Sequence, residues 1–155
     1  MGEELKIIYN CFGGSHSSVT AAAIHLQLLP DTHEATNEQL LSLPYYDAQV
    51  AFDHGRIRYM GRDEVGNEIY ITSKRGLGSK YTIIMSSILE LIANKDEQAV
   101  FIDTMPYVNI WMMIGGFLSR RWGFTNLGRR IVLYGTRQSY FRFIQLVYLV
   151  KQGLQ

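Results

Sequence analysis

The stretch that decides the fold is residues 5–29, LKIIYNCFGGSHSSVTAAAIHLQLL. It begins with a short apolar run rich in β-forming residues, which is typical of a buried parallel strand. The pair Gly13-Gly14 then ends the strand, because glycines adopt backbone angles that other residues rarely adopt. The serines that follow are good helix caps, and the alanine-rich run after them predicts a slim helix that stops before Pro30. The stretch therefore predicts a strand, a tight polar turn and a helix.

Two later apolar runs, AVFI at 99–102 and IVLY at 131–134, predict two more buried strands. Helical patterns surround these runs at residues 79 to about 94, 106 to about 122 and 139 to about 151. Right-handed crossovers would make the three strands parallel and place helices on both faces of the sheet. The expected fold is a three-layer α/β domain with a mostly parallel sheet, P-loop-like or Rossmann-like, that spans residues 1–155.

Residues 56–73, RIRYMGRDEVGNEIYITS, carry two alternating arms around residues 63–67. This pattern predicts an antiparallel β-hairpin with a five-residue loop, inserted between the first two strand–helix units. The third helical region contains Gly115-Gly116, which either allows a close helix contact or marks a kink. The large apolar residues around that pair are expected to be core residues: Trp111, Met112, Met113, Trp122 and Phe124.

Composition narrows the class of protein. The formal net charge is +1 and there is no long basic run, so neither a nucleic acid nor an anionic membrane is an expected partner. Cys11 is the only cysteine, which favours a reducing compartment. The amino terminus lacks the pattern of a signal peptide, and the longest apolar stretch, 105–118, is shorter than the roughly 20 residues of a membrane helix. A cytoplasmic location is expected.

Ligands of parallel α/β sheets bind beyond the carboxyl ends of the strands. The three predicted strands end in polar residues, so a shared crevice is expected to contain His16, Asp103 and Arg137. Arg137 suits an anion clamp because the guanidinium fork matches the geometry of a phosphate group.

The first turn resembles the phosphate-binding pattern G-x-x-x-x-G-K-[ST]. Asn10 and Ser15 fall on its two glycines, His16 falls on the lysine, and Ser17 falls on the magnesium-binding hydroxyl. Free amides at a helix start attract anions even without the lysine. Asp103 follows an apolar strand, as does the acidic residue that holds magnesium in nucleotide hydrolases.

These patterns predict a phosphate-bearing small molecule as ligand, favouring a nucleotide, with magnesium as a candidate cofactor held by Ser17 and Asp103. The candidate ligand-binding residues are Asn10, Gly13, Gly14, Ser15, His16, Ser17, Ser18, Thr104, Thr136 and Arg137, and the candidate catalytic residues are His16, Asp103 and Cys11. Whether a reaction takes place stays open.

Cys11 offers an alternative chemistry, a hydrolase or transferase that uses Cys11 or His16 directly, because a thiolate near a helix start is stabilised. A tyrosine-phosphatase loop needs arginine six residues after the cysteine, where this chain has Ser17. The favoured interpretation of Cys11 is nevertheless a small buried residue at a strand end. The four histidines are too scattered in sequence for a recognised zinc pattern.

Three separated segments, YNCFGGSHSSVTAAAIHL, GRDEVGNEIY and GGFLSRRWG with LGRRIVLYGTR, resemble an uncharacterised bacterial family of unknown function. The resemblance implies a distribution mainly in spore-forming Firmicutes and a sporulation-related role, and it assigns no catalytic residue. A further alternative is a non-enzymatic interaction module in which an exposed hairpin at residues 56–73 contacts a protein partner.

Overall fold

The computed structural model describes residues 5–48, 53–92 and 98–153. Within these ranges the chain forms four strands and six α-helices. In chain order they are β1 (Leu5–Cys11), α1 (Ser17–His25), α2 (Asn37–Leu41), β2 (Arg58–Arg62), β3 (Glu68–Ser73), α3 (Lys80–Ile92), β4 (Gln98–Asp103), α4 (Ile110–Arg121), α5 (Thr125–Gln138) and α6 (Tyr140–Gly153). The predicted strand–turn–helix at the start of the chain is confirmed, although α1 ends four residues before residue 29. The predicted end of the third helix near Asn94 lies outside the described residues.

The sheet has the strand order β2-β3-β1-β4, and β1 runs parallel to both of its neighbours. In the register Tyr9 lies between Ile71 of β3 and Ile102 of β4. Strands that are paired on both sides and covered on both faces carry mostly apolar residues, and residues Ile7, Ile8 and Tyr9 of β1 form such a run. The fold is a mixed α/β architecture with a mostly parallel sheet.

The prediction of a third parallel strand at residues 131–134 is wrong, because this segment lies in the middle of α5. A run of four apolar residues fits a strand or a buried helix equally well. Gly128, Val132 and Gly135 follow a helical spacing, and all three are buried. The third parallel strand of the sheet is β3 instead.

The hairpin is confirmed, since β2 and β3 pair antiparallel around residues 63–67. Its expected position as an exposed insertion is wrong. β3 pairs along its length with β1, and its residues Ile69 and Ile71 are fully buried. Of the two hairpin strands only β2 lies at an edge of the sheet, and β4 forms the other edge. The hairpin is thus part of the core and not a projecting arm.

Helices α4 and α5 pack backbone against backbone through glycines. A Cβ atom added to Gly115 would lie 2.8 Å from the carbonyl oxygen of Gly128, and one added to Gly128 would lie 2.6 Å from the amide nitrogen of Ser119. Such distances are shorter than real Cβ contacts, so only glycine permits this approach. Of the two explanations for Gly115-Gly116, the close helix contact is correct.

The large apolar residues around this helix pair are mostly not core residues. Met112 is buried, but the side chains of Trp111, Met113, Trp122 and Phe124 are exposed. The reason is that the face of α4 turned toward the protein carries Met112, Gly115 and the close contact with α5, which leaves its other faces in solvent. None of the helices in the described part of the chain is long and apolar enough to cross a bilayer.

A buried polar chain joins the core to the hairpin loop. The Tyr9 hydroxyl lies 2.7 Å from Nδ1 of His25, and Nε2 of His25 lies 3.1 Å from Oδ2 of Asp63. Burial raises the pKa of Tyr9, so its hydroxyl stays protonated and donates to His25. His25 in turn donates from Nε2 to the Asp63 carboxylate. Burial also lowers the pKa of His25, against the smaller opposing effect of Asp63, so the imidazole is neutral in the folded protein.

We expect Gly128→Ala to lower the free energy of unfolding by about 1–3 kcal/mol, because the new methyl group meets backbone atoms that cannot move aside. Gly116→Ala is the matched control, since a Cβ at Gly116 has nothing within 4 Å. It should be neutral or stabilising by up to about 1 kcal/mol through helix propensity. Denaturant unfolding of both variants measures this. Equal effects of the two substitutions would contradict the close α4–α5 contact.

The His25 arrangement predicts a pH-dependent stability. Because the pKa of His25 is lowered on folding, the unfolded chain binds the proton more readily, and stability falls as the pH drops below about 6.5. The slope contributed by one group is at most about 1.4 kcal/mol per pH unit. His25→Gln should therefore reduce stability at pH 7.5 but flatten its dependence between pH 7.5 and 5.5. Denaturant unfolding at several pH values measures the slope, and an unchanged slope in the variant would exclude His25 as its source.

Candidate functional site

The order of the parallel strands places a ligand-binding position at the end of β1. Along the chain β1 is followed by β3 on one side of it and then by β4 on the other. The carboxyl end of β1 thus lies between those of β3 and β4, and α/β sheets bind ligands beyond the carboxyl ends of their strands. A cavity of about 980 Å³ occupies this region. Its lining includes Cys11, Phe12, Gly13, Ser15, His16, Ser17, Asp47, His54, Arg75, Met105, Val108, Met112, Met113, Gly116, Phe117, Ser119, Arg121 and Thr125.

The turn after β1 wraps around the sulfur of Cys11. Gly14 has a φ angle of 67°, in the left-handed region that favours glycine, and its N–H donates to Sγ at 2.9 Å. The hydroxyl oxygen of Ser18 lies 3.2 Å from the same sulfur. The sulfur thus lies beside two hydrogen-bonding groups, and Cys11 is one of the residues that line the cavity.

The start of α1 lines the cavity through Ser15, His16 and Ser17. The first four N–H groups of a helix have no partner within that helix, and they form its positive end. His16 occupies the N-cap position, but its side chain turns to Asp47 instead of capping this turn. The Ser17 hydroxyl lies 2.8 Å from Oγ1 of Thr104, which itself donates to the carbonyl oxygen of Asn10. Ser17 must therefore donate to Thr104, and this bond ties the start of α1 to the end of β4.

A carboxylate holds the His16 ring against the cavity wall. Nε2 of His16 lies 3.1 Å from Oδ1 of Asp47, and Nε of Arg129 donates to Oδ2 of Asp47 at 2.6 Å. Burial favours a raised pKa for Asp47, but the hydrogen bonds from His16 and Arg129 outweigh it, so its pKa is lowered. The Tyr46 ring packs edge-on against His16 at 5.4 Å. This arrangement orients the imidazole as proton-transfer histidines are oriented in enzymes.

The cavity lining combines charged and apolar side chains. Arg75 and Arg121 are lining residues, and their guanidinium groups stack over the rings of Phe12 and Phe117 at 5.5 Å and 5.7 Å. The apolar lining consists of thioether, aliphatic and aromatic groups: Met105, Val108, Met112, Met113 and Phe117. A ligand that carries both an anionic group and a flat or apolar group fits this lining.

Asp103 lies at the end of β4 as predicted, but its side chain is directed to other partners. Oδ2 accepts from Nζ of Lys74 at 2.5 Å, and Oδ1 accepts from the N–H of Met105 at 3.0 Å. Asp103 is not among the residues that line the cavity. Across residues 5–48, 53–92 and 98–153, no three His, Cys, Asp or Glu side chains are grouped to hold a metal ion.

The expected convergence of Thr136 and Arg137 with the first turn does not follow from a strand end, because both residues lie in α5. Thr136 is buried and forms a hydrogen bond of 2.9 Å with the Tyr46 hydroxyl. Arg137 forms an ion pair with Glu34 on the surface. Of the predicted ligand-binding and catalytic residues, the structure brings five to the cavity: Cys11, Gly13, Ser15, His16 and Ser17.

Sequence reasoning missed the residues that other loops supply. Asp47 lies in a segment with no clear secondary-structure pattern, and its N–H donates to the carbonyl oxygen of Ser15, which fixes the loop beside the first turn. Arg75 lies in what reads as a flexible connector after β3. Its N–H donates to the carbonyl oxygen of Phe12 at 3.1 Å. The sequence signal that could have located Arg75 is its position two residues after the end of β3.

The fold and site define a mixed α/β protein with a polar β1–α1 turn that lines a cavity of about 980 Å³. The family model described as "Protein of unknown function (DUF3189)" matches residues 6–152. The match covers almost the whole chain, so the chain belongs to this family. Neither the curated proteins nor the solved structures contain a match to it.

Proposed function

We propose that this protein binds a phosphate-bearing small molecule, with a nucleotide as the favoured class, in the cavity at the β1–α1 turn. The observation that carries the proposal is the start of α1, which lines the cavity through Ser15, His16 and Ser17. Amide groups at such a position hold phosphate oxygens without a lysine. The phosphate-loop resemblance of residues 10–18 rests on the same turn.

The side chains around this turn support an anionic ligand. Arg75 and Arg121 line the same cavity, and a guanidinium group binds phosphate through two parallel hydrogen bonds. His16, which pairs with Asp47, adds a positive charge when it is protonated. These cations occupy the role that was assigned to Arg137 on sequence grounds.

The apolar residues that line the cavity favour a nucleotide as the ligand over a small inorganic anion. Met105, Met112 and Met113 present thioether groups, which pack well against aromatic rings. A cavity of about 980 Å³ lies within the usual range for a ligand the size of a nucleotide. A base against the methionines would place its phosphate toward α1. Magnesium held by Ser17 and Asp103 would require Asp103 to leave Lys74.

Nucleotides at millimolar concentration should raise the melting temperature of the protein. A ligand at about ten times its dissociation constant adds about 1.4 kcal/mol, which corresponds to several degrees for a chain of this size. Arg75→Ala should reduce the shift in melting temperature strongly. Lys151→Ala, which removes a cation of α6 that pairs with Glu64, should leave the shift unchanged. The absence of any shift with mono-, di- and triphosphates of purines and pyrimidines would overturn the proposal.

A second candidate function is supported by the surroundings of Cys11. The sulfur accepts from the N–H of Gly14 and lies beside the Ser18 hydroxyl, and Cys11 is one of the residues that line the cavity. The arginine that a phosphatase loop places six residues after the cysteine is missing, but Arg75 and Arg121 bring guanidinium groups to the same cavity from other elements.

Cys11 and His16 would then act on a bound phosphate ester. The thiolate would attack phosphorus, forming an S–P bond as the P–O bond to the leaving alcohol breaks. Protonated His16 would give its proton to the departing oxygen. Water would next cleave the S–P bond, releasing phosphate, returning the thiolate and restoring the proton to His16.

Iodoacetamide should therefore alkylate Cys11 faster in the folded protein than in the urea-unfolded chain at pH 7, although the sulfur is nearly buried. Ser18→Ala should slow this reaction about tenfold by removing a donor to the thiolate. Thr32→Ala serves as a control for loss of a remote hydroxyl. Mass spectrometry of the single cysteine measures the rate. A thiol that reacts only after unfolding would contradict this second candidate.

A further inference from the structure

A contiguous part of the chain presents an unusually apolar surface. Eight large apolar side chains between residues 110 and 127 are between 39 % and 62 % exposed. We call them the α4 patch: Ile110, Trp111, Met113, Ile114, Phe117, Trp122, Phe124 and Leu127. Tryptophan, phenylalanine and methionine are the residues that protein–protein interfaces favour.

The α4 patch is larger than an isolated monomer usually exposes. At about 100 Å² of exposed surface for each side chain, it amounts to about 800 Å², against about 300–600 Å² for the largest apolar patch of a typical monomer. About 800 Å² is also the area that each partner contributes to a stable protein–protein interface. The patch therefore has the size of one complete side of an interface.

These side chains have no room within the monomer. The opposite face of α4 lies against α5 through Gly115 and Gly128, where no Cβ atom fits. Turning α4 to bury the patch would drive large side chains into this contact. The exposure of the patch follows from the glycine packing and is a fixed property of the fold.

Helix α3 presents a second unpartnered apolar face. Five aliphatic residues on one half of this helix are between 42 % and 85 % exposed; we call Ile83, Ile84, Ile88, Leu91 and Ile92 the α3 face. Tyr81 is the only residue of α3 that is buried. An isolated helix of this length is marginal in water, so α3 needs an apolar surface to pack against.

The two surfaces each carry a charged residue of opposite sign. Residues 110–127, which contain the α4 patch, include Arg120 and Arg121 and no acidic residue. On α3 the exposed residue Glu90 lies beside the α3 face, and the exposed residue Lys80 lies at the start of the helix. A carboxylate beside the α3 face matches a guanidinium group beside the α4 patch.

We propose that the partner of these surfaces is a second copy of this chain. The α3 face of one protomer packs on the α4 patch of the other, and the same contact is formed in reverse, as a two-fold axis requires. Both surfaces are present on every chain, so the dimer satisfies both at once. Met113 and Phe117 of the α4 patch also line the cavity, but neither the argument for the dimer nor its test involves ligand binding.

The full-length protein should sediment as a dimer at micromolar concentration. Leu91→Glu in the α3 face and Trp122→Glu in the α4 patch should each weaken the dimer at least tenfold, because each buries a charge in an apolar contact. Leu149→Glu is the matched control, since Leu149 on α6 is as exposed as Trp122 but belongs to neither surface. Sedimentation equilibrium measures the dissociation constants, and circular dichroism confirms that each variant is folded.

Mixing the two variants tests the reciprocal arrangement. A dimer of one Leu91→Glu chain and one Trp122→Glu chain keeps one intact contact, so the mixture should dimerise more tightly than either variant alone. A wild-type protein that stays monomeric at 100 µM would overturn the proposal, as would monomers that bind anionic vesicles through the α4 patch. Dimerisation that Leu91→Glu does not weaken would show that the α3 face is not the contact.

Discussion

The structure depends on how the carboxyl end of β1 is held by both of its neighbours. The carbonyl oxygen of Asn10 accepts from the N–H and the hydroxyl of Thr104, and that of Cys11 accepts from the N–H of Lys74. These bonds continue the two parallel ladders into the loops beyond the sheet. They fix the turn after β1 between the loops that follow β3 and β4, and the cavity, the start of α1 and the position of the Cys11 sulfur all follow from this.

The first strand, the turn and the first helix were predictable because each has a strong local signal. The apolar run, the glycine pair and the serines before an alanine-rich segment each act within a few residues. The hairpin was predictable for the same reason. Its place inside the sheet was not, because pairing between β3 and β1 depends on residues about 60 positions apart in sequence.

The wrong strand at residues 131–134 and the missed residues of the site have a common physical origin. Local patterns do not contain the contact between α4 and α5 that makes Gly128, Val132 and Gly135 one face of a helix. Likewise Asp47 and Arg75 reach the first turn through backbone bonds to Ser15 and Phe12 that only the folded chain forms. The turn was located from sequence, whereas the Arg75 guanidinium and the Asp47 carboxylate beside it were not.

Helix α1 has a consequence for the evolution of this family. All nine of its residues, Ser17–His25, are buried, so this helix has no solvent-facing side on which substitutions are free. Its alanines let it lie close to the sheet. At its two ends Ser17 forms a hydrogen bond with Thr104 and His25 forms one with Asp63. Sequences in the family should therefore diverge least along α1, and the variation they show in α1 should be restricted to residues of nearly equal volume.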